Sequence, residues 1–112
     1  MSSADTEKTV EQLSALAQTT RLAVFRMLVQ AGPTGMAAGQ IGERLGVAKN
    51  TLSSHLSVLQ HAGLIGRRRD GRNLIYGVRI DEVAGLIRVL VQDCCGGHPE
   101  VCAPIRDLTP TD

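Results

Sequence analysis

The chain holds 112 residues and 11.9 kDa, the size of one domain, and 30 of its residues are Leu, Ile, Val or Phe, enough to bury a core. No apolar run reaches the roughly 18 residues of a membrane span, and one Tyr, one Phe and no Trp exclude a surface that stacks single-stranded bases on aromatics. The formal net charge of +1 hides an asymmetry: residues 44–79 carry seven basic side chains against one acid, Asp70, while the remainder is acidic, a distribution that marks a local surface for a polyanion.

Residues 1–6 read as a loose tail. Their polar character (Ser2, Ser3, Asp5) is not that of a secretory leader, so a cytoplasmic protein is expected. Apolar residues at 10, 13, 16 and 17 have helical spacing. A second helix is expected from a cap at Thr19 or Thr20, with Leu22, Phe25, Leu28 and Val29 on one face. The run Gly32-Pro33-Thr34-Gly35 stops it. A short third helix over about 37–45 points Ile41 and Leu45 inward, and Gly46 stands where a helix C-terminal cap belongs.

A fourth helix starts within four residues and ends before Gly63, with Leu52, Leu56, Leu59 and Ala62 as its apolar stripe. Its other face offers Lys49, Asn50, Thr51, Ser53, Ser54, His55 and Ser57, short donors and acceptors with one cation. Two helices across a tight glycine turn, the second polar and basic outside, form a helix-turn-helix pattern. Two strands follow, 64–69 and 72–78, joined by Asp70-Gly71 as a two-residue hairpin loop. Arg67, Arg68, Arg69 and Arg72 sit at its tip, where no packed core would want four guanidinium groups. Asp81 is expected to cap a last helix over about 82–94. Its apolar residues (Val83, Leu86, Ile87, Leu90, Val91) form more than one amphipathic stripe, and a second subunit would cover the excess.

The expected fold is mainly α with a small β-hairpin, a homodimeric winged helix-turn-helix of order α-α-α-α-β-β-α. Residues 1–93 would form the DNA-binding and dimerisation domain, and 94–112 a tail. Over roughly residues 10–93 the chain resembles the ArsR/SmtB family of bacterial metal-responsive repressors. The resemblance is carried by Leu16-Ala-Gln-Thr-Thr-Arg-Leu22, Ile41-Gly-Glu-Arg-Leu-Gly46, Thr51-Leu-Ser-Ser-His-Leu56, Leu59-Gln-His-Ala-Gly-Leu-Ile65 and Arg69-Asp-Gly-Arg-Asn-Leu-Ile-Tyr76. Where the family usually has two His residues in the recognition helix, this chain has Ser54 and His55. A helix fits the major groove, and Lys49, Asn50, Thr51, Ser53, Ser54, His55 and Ser57 are side chains that reach bases and phosphates. Arg67, Arg68, Arg69 and Arg72 suit phosphate or minor-groove contact. A symmetric dimer would require an inverted-repeat operator in double-stranded DNA.

Cys94, Cys95 and Cys102 place three thiols within nine residues, with Gly96, Gly97 and Pro99 able to reverse the chain between them. An odd number without a secretory leader argues against a disulfide framework. Soft thiolates select soft ions. Three alone suit a pyramidal ion such as As(III) or Sb(III), which resemblance to the arsenic-sensing members also implies. Two other sites of the family find no match: the third-helix Cys-x-Cys is replaced by Met36-Ala-Ala-Gly39, and residues 82–93 hold no His. The expected mechanism is a dimer that leaves its operator when the metalloid draws Cys102 onto Cys94 and Cys95. Two alternatives use the same cysteines: Cd or Zn with His98 or water as fourth ligand, and a redox switch. No Cys-x-x-Cys spacing or nucleophile–base arrangement points to an enzyme.

Overall fold

The computed structural model describes residues 3–93. Five helices and a three-stranded antiparallel sheet follow in the order α1 (Ser3–Leu16), α2 (Thr19–Ala31), a 3₁₀ turn (Gly32–Thr34), β1 (Met36–Ala37), α3 (Ala38–Leu45), α4 (Lys49–His61), β2 (Ile65–Asp70), β3 (Asn73–Val78) and α5 (Ile80–Arg88). A π-helical turn, Val89–Asp93, extends α5. No helix among the described residues is long and apolar enough to cross a membrane. The winged helix-turn-helix expected from the sequence is the fold observed, with one strand added.

The core forms where helical periodicity and strand alternation agree. Val24 and Leu28 of α2, Ile41 of α3, Leu52, Leu56 and Leu59 of α4, and Leu64 and Ile65 entering β2 are buried together. Each of the larger side chains contributes on the order of 2 kcal/mol by leaving water. Tyr76 closes the sheet side of this cluster, paired across the sheet with Met36 on one flank and Arg67 on the other.

Several local details correct or add to the sequence reading. Residues 3–6 are not a loose tail but the first turn of α1, where Asp5 complements the positive end of the helix dipole. The buried face of α1 is Gln12 and Ala15, whereas Val10 and Leu13 are 59% and 41% exposed. On α2, Leu22 and Val29 are likewise exposed. Its N-cap is Gln18, whose side chain accepts the Arg21 N–H at 2.8 Å, not either threonine. The extra strand β1 pairs antiparallel with β3 and makes the sheet order β1-β3-β2. The hairpin loop is Gly71–Arg72 rather than Asp70-Gly71, because Asp70 and Asn73 pair. Only Gly71 takes a positive φ (63°), so the glycine occupies the first central position, as in a type II′ turn. Asp81 lies inside α5, and Arg79 stands at its N-cap.

One polar knot holds α1 to α4 and α5. The buried Gln12 amide donates to the carbonyl of Ala62 (3.4 Å), just past α4, and to Oε2 of Glu82 (3.3 Å) in α5. Lys8 of α1 reaches the same carboxylate oxygen at 2.8 Å. The bonded Lys8 ammonium holds the Glu82 carboxyl below its ordinary value against the opposing effect of desolvation, and the Gln12 amide and the Arg79 charge act in the same direction as Lys8. A carboxyl lowered in the folded state stabilises above its unfolded pKa, and that contribution is lost as pH falls through the folded value. Glu82→Gln is therefore expected to be less stable than the parent at neutral pH, by under about 1 kcal/mol because Lys8 is largely solvated. The gap should close on acidification, as read from thermal midpoints across the acid range. A gap independent of pH would remove the ion pair as its cause.

Candidate nucleic-acid interface

The candidate interface is built from α4 and the β2–β3 wing. Gly46 ends α3 in the left-handed conformation (φ 65°, ψ 35°), as the sequence predicted, and reverses the chain into α4. Because Leu52, Leu56 and Leu59 turn into the core, the opposite side of α4 carries Lys49, Asn50, Thr51, Ser53, Ser54 and Ser57, all exposed. The N-cap of α4 is Ala48, which has no side chain to satisfy the first amides, and its first turn contains no acid. Free amides at the positive end of a helix, with Lys49 beside them, form an anion-receptive end.

His55 is placed differently from its neighbours. It is half-buried, and its Nδ1 lies 3.4 Å from Nη1 of Arg21 on α2. The same guanidinium donates from Nε to the Ala15 carbonyl (2.6 Å) and from Nη2 to the Ser14 carbonyl (3.5 Å), near the carboxyl end of α1. Periodicity gave no sign of this bridge, since its partners lie 34 residues apart. Arg21 entered the sequence reading only as part of the stretch Leu16–Leu22.

All four wing arginines are exposed. Strand alternation sends Arg67 and Arg69 to the sheet face shared with Tyr76 and Leu74, and Arg68 to the opposite face with Ile75. Arg68 is engaged, donating from Nη2 to the Thr34 carbonyl at 2.9 Å. Within the described residues no hydrogen bond or ion pair holds Arg67, Arg69 or Arg72, so their charges stand free on the wing. The side-chain set on α4 and this arginine tip together offer base-edge donors and acceptors flanked by cations, the composition of a duplex-DNA surface.

Cys94, Cys95, Cys102 and His98 lie outside the described residues. Among the described residues no group of three or more His, Cys, Asp or Glu is placed to hold a metal ion.

Comparison with known proteins agrees with this geometry. A family model described as a helix-turn-helix domain matches residues 16–68. The chain is 32% identical over 81 residues to YceK of Bacillus subtilis (strain 168), an uncharacterized HTH-type transcriptional regulator, covering 72% of this chain and 80% of that one. It superposes with a TM-score of 0.67 on the homodimeric winged helix-turn-helix DNA-binding domain (fragment 1–100) of Mb0332 from Mycobacterium bovis, a possible ArsR-family regulator. Identity there is 27%, and 89% of this chain and 92% of that one are covered. A possible transcriptional regulator for arsenical resistance superposes with a TM-score of 0.64 at 26% identity, over 89% of this chain and 98% of that one. With a regulator matched over four-fifths of its length and the DNA-binding domain of a possible ArsR-family regulator matched over nine-tenths, the chain belongs to the ArsR family of DNA-binding winged helix-turn-helix transcriptional regulators and is not an enzyme.

Proposed function

We propose that the protein is a cytoplasmic repressor that binds an inverted-repeat operator as a homodimer and leaves it when As(III) or Sb(III) binds Cys94, Cys95 and Cys102. The observation that carries the DNA half is the exposed polar face of α4 (Lys49, Asn50, Thr51, Ser53, Ser54, Ser57) beside the free wing cations Arg67, Arg69 and Arg72. Arg68 and His55 complete the set, each already bonded within the protein. Dimerisation through α1 and α5 with its π-helical extension is supported by their uncovered apolar residues, Val10 and Leu13 on α1, Ile87 on α5 and Leu90 in the extension. A homodimeric structural relative supports the same reading.

The division of labour follows: residues 1–93 bind DNA and the second subunit, and the tail 94–112 binds the metalloid. The inducer assignment rests on three soft thiols within nine residues and on the similarity to a possible arsenical-resistance regulator. Binding requires thiolates, so affinity for the metalloid falls at low pH. By linkage, DNA weakens metalloid binding by the same factor by which the metalloid weakens DNA binding.

The test is a titration of reduced protein against the DNA upstream of its own gene, with and without arsenite. A variant with all three cysteines replaced by Ser is run beside it. Arsenite is expected to release the parent and leave the variant bound. If both stay bound, the metalloid assignment fails. Release by hydrogen peroxide in that case would make the cysteines an oxidation switch, and release by Cd(II) that His98→Ala abolishes would make them a four-ligand metal site.

A further inference from the structure

The Arg21 side chain bonds both the carboxyl end of α1 and the polar helix α4. Its guanidinium is held on one side by the Ala15 and Ser14 carbonyls, and its remaining nitrogen, Nη1, meets Nδ1 of His55 at 3.4 Å. Its backbone N–H is fixed as well, bonded to the Gln18 side chain. A guanidinium has five donors and no acceptor. A hydrogen bond from it to an imidazole nitrogen therefore requires a lone pair on that nitrogen, which puts the ring proton on the other one. The two ring nitrogens point in diverging directions, so with Nδ1 turned to Arg21 the Nε2–H is directed away from it.

We propose that Arg21 is a positioning residue for sequence reading: it fixes His55 as the Nε2–H tautomer, so that α4 presents a single ring donor, and no ring acceptor, to DNA. This rests on α4 being the helix that enters the major groove. A lone N–H selects acceptors, namely the O6 and N7 of guanine, the N7 of adenine or the O4 of thymine, and it disfavours the amino group of cytosine. A histidine without this partner exchanges tautomers and accepts either kind of edge. Because the other bonds of the Arg21 guanidinium go to α1, the bridge also ties the donor to a helix that bears the uncovered Val10 and Leu13.

The first measurement is made without DNA. Long-range ¹H–¹⁵N correlation spectra of ¹⁵N-histidine protein at about pH 8, where imidazole is unprotonated in water, are expected to show the Nε2–H pattern for His55. Arg21→Met is expected to show mixed tautomers. The second is operator titration. The amide nitrogen of Gln reaches the place of Nε2, and that of Asn the place of Nδ1. His55→Gln should therefore bind within about threefold of the parent, while His55→Asn and His55→Ala lose about tenfold. Arg21→Met should lose about tenfold alone and almost nothing further in the His55→Ala background, since the two act as one unit.

An Nδ1–H pattern in the parent, equal binding by the Asn and Gln variants, or an Arg21→Met loss that persists without His55 would each overturn the proposal. If Arg21→Met does not fold, the spectrum of the parent and the Gln–Asn pair still decide. A parent that binds no operator overturns the reading of α4 itself, which is distinct from a parent that binds while Arg21→Met binds equally well.

Discussion

Gly35→Ala is expected to cost about 3 kcal/mol or more, lowering the thermal midpoint by over about 10 °C in a domain of this size. Two independent penalties meet at this residue. Its backbone sits at φ 70°, ψ −167°, a region that essentially only glycine occupies. A Cβ built there would lie 2.5 Å from the Tyr76 carbonyl oxygen and 3.0 Å from Cγ2 of Ile75. Backbone in the central strand cannot swing aside as a flexible side chain would, so β1 would have to leave β3. Met36, buried and paired with Tyr76, would go with it.

Gly46→Ala provides the control. Gly46 has a positive φ of 65°, but nothing lies within 4 Å of its added Cβ, and its left-handed conformation is one that other residues can adopt at a cost. About 1 kcal/mol is expected there. Denaturant unfolding of the two variants reads the difference. Equal losses would mean that the close approach of Gly35 to β3 adds nothing and that the backbone conformation alone sets the cost.

What the sequence made legible, and what it did not, divides by the range of the interaction. The α3–Gly46–α4 unit was readable because its signals are local: Leu52, Leu56, Leu59 and Ala62 repeat at helical spacing and all four are buried. The wing was readable from alternation and a glycine turn. Its loop was misplaced by one residue because Asp70-Gly71 and Gly71-Arg72 are both acceptable loops, and pairing of Asp70 with Asn73 decides between them. The strand β1 was not readable, since two residues generate no period.

The packing of α1 lay beyond the sequence for a different reason. Periodicity located a stripe of apolar residues but not the surface it faces, and Val10 and Leu13 turn outward while Gln12 enters the core. Gln12 is tolerated there because its amide is satisfied twice, by the Ala62 carbonyl and by Glu82, partners 50 and 70 residues away. The Arg21–His55 bridge escaped for the same reason. On the polar face of α4 and on the wing, the sequence could not separate the exposed Ser54 from the bonded His55, or Arg68 from its freer neighbours.

Replacing Arg67, Arg69 and Arg72 together by Ala should weaken operator binding about 10²-fold near physiological salt and flatten its salt dependence. Each cation that neutralises a phosphate releases condensed counterions and contributes about 0.9 to the slope of log affinity against log salt. Three such contacts lower that slope by nearly 3. Stability should hardly move, because all three side chains are exposed and none has a hydrogen bond or ion pair among the described residues. Arg68→Ala separates the two kinds of arginine on the wing. Its guanidinium is already committed to the Thr34 carbonyl, so its loss should change the slope least of the four and show instead as a small drop in stability. The pattern across DNA sequences tells how the wing is used. Phosphate contacts weaken specific and non-specific DNA alike, whereas an arginine inserted in the minor groove weakens sites with a narrow A·T-rich flank more than others. A triple variant whose salt slope equals the parent's would remove the wing from the interface and leave α4 as the whole of it.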